Sequence, residues 1–413
     1  MEIAFAFALD TFYAVMAGAL VMFMAAGFTM LEAGLVQKKD VSEIVTKNIG
    51  LYSIACIMYL VCGFMVMYPG DATIISGVLP EFSLASLGLS TSLANEDIGI
   101  PYGMAYSQQA DFFFQVVFVA TAMSIVSGAV AGRMKLVPFF LFAVVLTGVI
   151  YPIQGYWNWG EGFLNQMGYS DYAGSGTVHL CGAAAALAVA LVLGARNGKY
   201  AADGTSLPMP GSNIPMAALG VWILWLGWFG FNGGSELAIA SEGSAIAVSQ
   251  VFLNTNMAAC GGVVTAIFLS LILTGKMDVT MAMNGAIAGL VAITANPLDP
   301  SAGVAVLIGA SGGALVYFSI LFFDKRLKID DPVGAISAHG IVGILGVMVV
   351  PFSNDASFAI QFIGVVSIAS FTFIASLITI LVINKFLPIR ASDEEQYEGL
   401  DKSEIGVEAY PEF

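Results

Sequence analysis

Runs of about 20 apolar residues, each bounded by polar or glycine-rich turns, recur along nearly the whole chain. At about 1.5 Å per residue such a run crosses the roughly 30 Å hydrocarbon thickness of a bilayer as a helix. Eleven stretches fit, near 11–36, 46–67, 112–131, 137–156, 177–195, 214–235, 251–273, 279–294, 302–323, 333–351 and 359–384. The eighth is short and interrupted by Asn284 and Gly285, so hydropathy alone also allows ten. Basic residues decide between the counts, because they collect at the cytoplasmic ends of spans. Lys38, Lys39 and Lys47 lie between spans 1 and 2, Arg133 and Lys135 after span 3, and Arg196 and Lys199 after span 5. Lys276 follows span 7, Lys325, Arg326 and Lys328 follow span 9, and Lys385, Arg390 and Lys402 follow span 11. With eleven spans all of them share one side, which ten spans cannot reproduce. The predicted fold is an all-α polytopic membrane protein of eleven transmembrane helices, N-terminus outside and C-terminus inside.

Composition removes the competing classes. The chain is 58% hydrophobic and 10% charged, with a mean hydropathy of +0.86, whereas soluble domains carry about 25% charged residues. A disordered chain would be poor in apolar residues, and the 46 glycines follow no collagen period. Cys56, Cys62, Cys181 and Cys260 sit in apolar runs and read as packing residues, without a disulfide framework or a CxxC site. The N-terminus lacks the basic region of a secretory signal, so the first span is read as retained.

The net charge of −15 divides by side. Thirteen acids fall outside (Glu2, Asp10, Asp71, Glu81, Glu96, Asp97, Asp111, Glu161, Asp171, Glu236, Glu242, Asp299, Asp355) with no base among them. Eight lie on the inner face or, as Glu32, in span 1, against thirteen bases, and eight more follow Ala391 with Lys402 alone opposing them. An outer face of one sign concentrates cations within about 8–10 Å. Loop solubility explains the same acids, and charge alone leaves both readings open.

Span 5 opens Asp171-Tyr-Ala-Gly174-Ser-Gly-Thr-Val-His179 and span 10 opens Asp331-Pro-Val-Gly334-Ala-Ile-Ser-Ala-His339. Both read D-x-x-G-x-x-x-x-H, and the odd number of spans separating them makes the two segments run in opposite directions. This is the arithmetic of an inverted 5+5 repeat, repeat 1 over about 11–195 and repeat 2 over about 214–351, followed by a final helix at about 359–384. The membrane domain is then 1–390 and the acidic cytoplasmic tail 391–413. Eight residues of helix place each histidine about 12 Å inward from opposite faces, so the two imidazoles can meet near the midplane. A single intramembrane histidine is commonly a packing residue. Both histidines of the chain at symmetric depth favour a site that lines a path for a small polar molecule or relays a proton.

A second constellation shares the outer ends of the spans: Trp159, Phe114 and Phe118, and Phe231 with Ser235. Aromatic faces attract cations and a hydroxyl can accept a hydrogen bond from one. An interfacial aromatic belt explains the same residues; the sequence gives them a common depth without showing that they converge.

These residues resemble the ammonium transporter family, the Amt branch of the Amt/Mep/Rh superfamily, over nearly the whole chain. The most specific stretch runs from Asp171 through His179-Leu-Cys-Gly-Ala-Ala-Ala-Ala-Leu to Gly194-Ala-Arg196. Ala33-Gly34-Leu35, Phe114-Gln115-x-x-Phe118, Gly227-Trp228-Phe229-Gly230-Phe231-Asn232 to Ser235, and Asp330-Asp331-Pro332 before His339-Gly340 support it. The resemblance implies an ammonium recruitment site at Trp159, Phe118 and Ser235, a phenylalanine gate at Phe118 and Phe231, and twin pore histidines at His179 and His339. It implies that Asp171 supports the recruitment site, with Phe114, Trp228 and Asp331 as further candidates. It also implies a homotrimer in the cell membrane with one pore per subunit. No cofactor, metal, nucleic acid or enzymatic reaction is predicted; the partners are ammonium or ammonia and membrane lipids.

A bare cation at the bilayer centre costs several kcal/mol or more, and K⁺ matches NH₄⁺ in size and charge. A hydrophobic constriction excludes both as ions, while only ammonium can leave a proton behind and pass as NH₃. Whether the proton follows, through the histidines or a wet route near Asp171, is open at this level. Two departures stand out: Gly334 occupies a position where many relatives carry an acid, and Ile405 and Val407 replace the His and Glu usual in the family's regulatory tail. Docking of a PII-type regulatory protein on the cytoplasmic face is therefore less secure than transport. The alternatives are an ammonium sensor signalling through the tail, disfavoured by only about 23 residues after Arg390, and an Rh-type NH₃ or CO₂ gas channel, disfavoured by Trp159 and Ser235.

Overall fold

The computed structural model describes residues 2–82 and 106–411; the outer acids Glu96 and Asp97 lie outside this set. The apolar runs are helices: α1 Glu2–Leu35, α2 Lys38–Met67, α3 Gln108–Val130, α4 Leu136–Met167, α5 Ser175–Leu193, α6 Ile214–Gly233, α7 Glu242–Thr274, α8 Val279–Thr294, α9 Ala302–Leu327, α10 Ile336–Phe352 and α11 Phe358–Phe386. A short tail helix, α12 Asp393–Glu398, follows. Among the described residues nine helices are long and apolar enough to cross a bilayer, while α8 and α10 are apolar but shorter.

Several boundaries move outward from the hydropathy windows. Helix α1 starts nine residues before the predicted 11, because polar Asp10 does not interrupt it: its Oδ1 accepts the Ile239 and Ala240 amides at 2.6 and 2.9 Å. Trp159, expected in a loop, caps a helical stretch of α4 that runs through Asn158. A small antiparallel hairpin, Thr73–Ile75 with Leu79–Pro80, was not predicted; its strands are too short to leave an alternating pattern.

Helix α8 explains why hydropathy read its segment poorly. From Met283 to Thr294 it is buried, so its composition answers to neighbouring helices rather than to lipid. Small residues let those neighbours close in: a Cβ at Gly289 would stand 2.3 Å from the Ala258 carbonyl oxygen, and one at Gly285 2.6 Å from that of Gly262. Helix α11 is the opposite case. Phe362, Ile374, Ile378, Leu381 and Val382 are exposed, an apolar outer surface that suits hydrocarbon and not water.

Helix neighbours recur between the halves. The pairs α1–α2, α1–α3, α2–α3, α2–α4 and α3–α5 have counterparts α6–α7, α6–α8, α7–α8, α7–α9 and α8–α10. Helices α3 and α5 are mostly buried within the bundle, and α11 packs along α5 from outside.

Candidate functional site

The paired D-x-x-G-x-x-x-x-H segments fold alike for a local reason. The first amides of a helix lack intrahelical acceptors and are satisfied by a preceding side chain. Asp171 Oδ2 accepts from the Gly176 and Thr177 amides at 3.0 and 2.8 Å and from Thr177 Oγ1 at 2.9 Å. Asp331 accepts from the Ala335 and Ile336 amides at 3.0 and 2.8 Å. Between each aspartate and its helix the chain turns through the left-handed region, φ 107° at Gly174 and 78° at Gly334, which glycine alone adopts without strain. Both helices then open with one wide π turn, Ser175–Leu180 and Ile336–Ile341, that carries the histidine. Such turns inside α-helices are frequent at functional sites.

The two rings stack at 5.1 Å between centroids with Nδ1 atoms 3.2 Å apart. One Nδ1 must donate and the other accept, so one ring presents a lone pair at Nε2 and the other an N–H. His179 Nε2 is buried without a protein partner. His179 also stacks on Trp228 at 5.0 Å and Phe231 at 5.3 Å. The Trp228 indole is fixed by donating to Thr294 Oγ1 at 2.8 Å. His339 faces Phe28 across 6.1 Å.

Outward of the histidines, Phe118 and Phe231 pack 4.1 Å apart and are both buried. Phe114 and Trp159 meet Phe118 edge-on at 4.8 and 6.1 Å. Above them a cavity of about 240 Å³ is lined by Phe114, Phe118, Trp159 and Ser235. Ser235 Oγ donates to the Phe231 carbonyl at 2.8 Å, which leaves its lone pairs available, and Trp159 Nε1 donates to the Asp171 carbonyl at 3.3 Å. Phe114, Phe118, Trp159 and Ser235 therefore converge on one cavity, Phe231 meets it only through Phe118, and Asp171 touches it through Trp159. Asp331 is not there: it lines a separate inner cavity of about 180 Å³ with Arg196 and Ser337.

The same outer cavity holds residues that the sequence reading did not single out. Asp111, Gln115, Tyr68, Tyr106 and Tyr172 line it, and Tyr106 donates to Asp111 at 3.3 Å. A signal for two of them was present: 111, 114, 115 and 118 follow the i, i+3, i+4, i+7 spacing of one helix face. The tyrosines come from three separate segments and carry no such mark.

At the other end of α5, Asp330 accepts from two guanidinium nitrogens of Arg196, Nε and Nη2, each at 2.8 Å, and from its amide at 2.9 Å. Buried Arg133 donates to the Asp330, Gly194 and Ala131 carbonyls; burial lowers its pKa to about 10. Burial alone would raise the Asp330 carboxyl, but the Arg196 hydrogen bonds and the charges of Arg133 and Arg196 outweigh it and hold the carboxyl well below the usual range. A depressed folded-state pKa gives stability that is present above about pH 4 and is lost as pH falls through the folded value. Asp330→Asn is expected to lower stability by about 3 kcal/mol at pH 7. Thermal unfolding in detergent checks this, with the gap to wild type closing in strong acid.

The acidic tail is not a free strand. The Leu400 amide donates to Asp40 at 3.0 Å, the Glu43 amide to Asp401 at 2.9 Å, and the Leu136 amide to Glu404 at 3.0 Å. Lys135 pairs with Glu395 at 2.7 Å, and Arg390 donates to the Leu193 carbonyl at 2.9 Å. The segment from Arg390 onward thus bridges the ends of α2, α4 and α5.

A sequence profile described as the Ammonium Transporter Family matches residues 12–410. The chain is 37% identical to ammonium transporter Amt2 of Archaeoglobus fulgidus, over 98% of this chain and 88% of that one. It is 34% identical to Amt1 of Methanocaldococcus jannaschii, over 98% and 97%. Among solved structures it resembles a Sensor Amt Protein at TM-score 0.89 and 32% identity, covering 98% of this chain and 100% of that one. Candida albicans Mep2 follows at 0.82 and 25%, covering 96% and 89%. With the family profile matched over residues 12–410 and these relatives beside it, the chain belongs to the ammonium transporter family.

Proposed function

We propose that this protein transports ammonium across the cell membrane, recruiting NH₄⁺ in the outer cavity and passing NH₃ between Phe118 and Phe231 to the histidine pair. One observation carries the proposal: a cation-suited cavity, a closely packed phenylalanine pair and two hydrogen-bonded imidazoles follow one another in contact. Trp159 offers a π face and Ser235 a lone pair to the cation; the tight phenylalanine pair excludes a hydrated ion. The rings at His179 and His339 then offer NH₃ one donor and one acceptor, replacing part of its lost hydration. Ammonium-evoked currents, or NH₃ flux measured with an internal pH dye, test this in proteoliposomes. Absence of both sinks the conduit.

The remaining architecture belongs to the same proposal. Helices α8 and α10 count as spans, giving eleven with the N-terminus outside and the C-terminus inside; the one-sided lysines and arginines support this. The matched helix neighbours and matched Asp caps support an inverted repeat spanning 11–195 and 214–351, the final helix at 359–384, and 391–413 as a cytoplasmic tail. A homotrimer, and a PII-type protein meeting the inner face, follow from family membership, the latter weakened by Ile405 and Val407.

The likeness to a Sensor Amt Protein gives the sensor reading a specific footing. A strain without other ammonium uptake separates the two: rescue on low ammonium means transport. The gas-channel reading is separated by Ser235→Ala and Trp159→Leu. Each removes one contact to a desolvated cation, so the half-saturating ammonium concentration is expected to rise about tenfold. An unchanged value favours the gas channel.

A further inference from the structure

We propose that Glu32 and Asn284 form an inner binding site for an ammonium-sized cation on the far side of the histidine pair; this rests on the conduction reading above. Glu32 on α1 is 1% exposed. Its Oε2 accepts from Ser127 Oγ at 2.6 Å and Asn48 Nδ2 at 3.2 Å, while Oε1 has no protein partner. Asn284 on α8 donates from Nδ2 to the Thr280 carbonyl at 3.1 Å, which fixes the amide's orientation, and its Oδ1 is buried without a partner.

Both residues line one small cavity with His339, whose other walls include Phe28, Ile125 and Val333. It encloses about 10 Å³, close to the room a single water needs and hence suited to one ammonium and no hydrated ion. Its two free oxygens are acceptors, and an ammonium ion carries only donors.

Charge supplies the sign. Buried Lys47 pairs with buried Glu43 at 3.5 Å, and no base pairs with Glu32 among the described residues. The group of Glu32, Glu43 and Lys47 is therefore one positive charge short. Ionisable residues at membrane depth are rare and mark substrate and ion pathways. An ammonium reformed from NH₃ just inside His339 supplies that charge: its nitrogen lone pair takes a proton from water at the inner mouth, an O–H bond breaks, and the hydroxide leaves into the inner solution.

Currents at graded outer ammonium in proteoliposomes test the site. Glu32→Gln is expected to lower the maximal current about tenfold while the outer half-saturating concentration stays within about twofold. Glu32→Asp, which keeps the charge, is expected to restore most of it, and Asn284→Leu, which leaves the Ser127 and Asn48 bonds intact, to lower it about threefold. A folded Glu32→Gln protein with wild-type maximal current overturns the site. So does a loss that Glu32→Asp fails to rescue alongside a normal Asn284→Leu current, since that pattern means a merely structural carboxylate. If Glu32→Gln does not assemble, the Asn284→Leu current decides. Where the wild type carries no current, the same variants are compared by NH₃ flux with an internal pH dye, and a wild-type protein silent in both overturns conduction itself.

Discussion

Replacing His179 by leucine is expected to reduce ammonium-evoked flux by about ten- to a hundredfold in a protein that still folds. Leucine keeps the volume against Trp228 and Phe231, which stack on the ring at 5.0 and 5.3 Å, so packing loses little. The polar partner disappears. Moving a hydrogen-bonding solute through an apolar passage without compensation costs about 1–3 kcal/mol, and about 1.4 kcal/mol is a factor of ten. The loss is compounded because His339 Nδ1 forfeits its 3.2 Å partner. His339→Leu breaks the same bond, so the double variant is expected to lose much less than the two single losses combined. Stopped-flow flux on the three variants checks it. Additive losses would show two independent histidines, and near-normal flux in His179→Leu would remove the pair from the path.

The histidines were legible because two rare residues sat at the same distance from two aspartates in segments of opposite direction. That spacing contains the cap, the glycine turn and the inward step, all of which are local physics. The outer cavity was only partly legible. Trp159, Phe118 and Ser235 were recognisable through resemblance, and Asp111 shared a helix face with Phe114 and Phe118, but Tyr68, Tyr106 and Tyr172 arrive from separate segments. No linear pattern encodes that convergence. Helix α8 was nearly lost for a related reason: hydropathy measures a helix against lipid, and α8 answers to glycine-lined contacts with α7 and α9. Glu32, Glu43 and Lys47 were visible only as charges on a map of sides, whereas burial sets two acids together with one base.

Asp171→Ala is expected to be among the most destabilising single changes in the protein, on the order of 4 kcal/mol, even though the sequence pairs it with Asp331. Asp171 is 4% exposed and its Oδ2 alone holds two amides and the Thr177 hydroxyl. Each donor stranded without water costs about 1–3 kcal/mol. The effect spreads, because the Asp171 carbonyl orients Trp159 and the α5 turn carries His179. Asp331 caps α10 with one carboxylate oxygen on each of two amides, but it is only partly buried and lines a cavity of about 180 Å³. Water can replace the lost carboxylate there, so Asp331→Ala is expected to cost about 1 kcal/mol. Thermal unfolding in detergent compares them: equal losses would mean that the two caps see the same solvent. Asp171→Asn, which keeps one acceptor oxygen in place, is expected to fall between the two alanine variants. The repeat therefore fixes where each aspartate stands, and access to water fixes what its loss does.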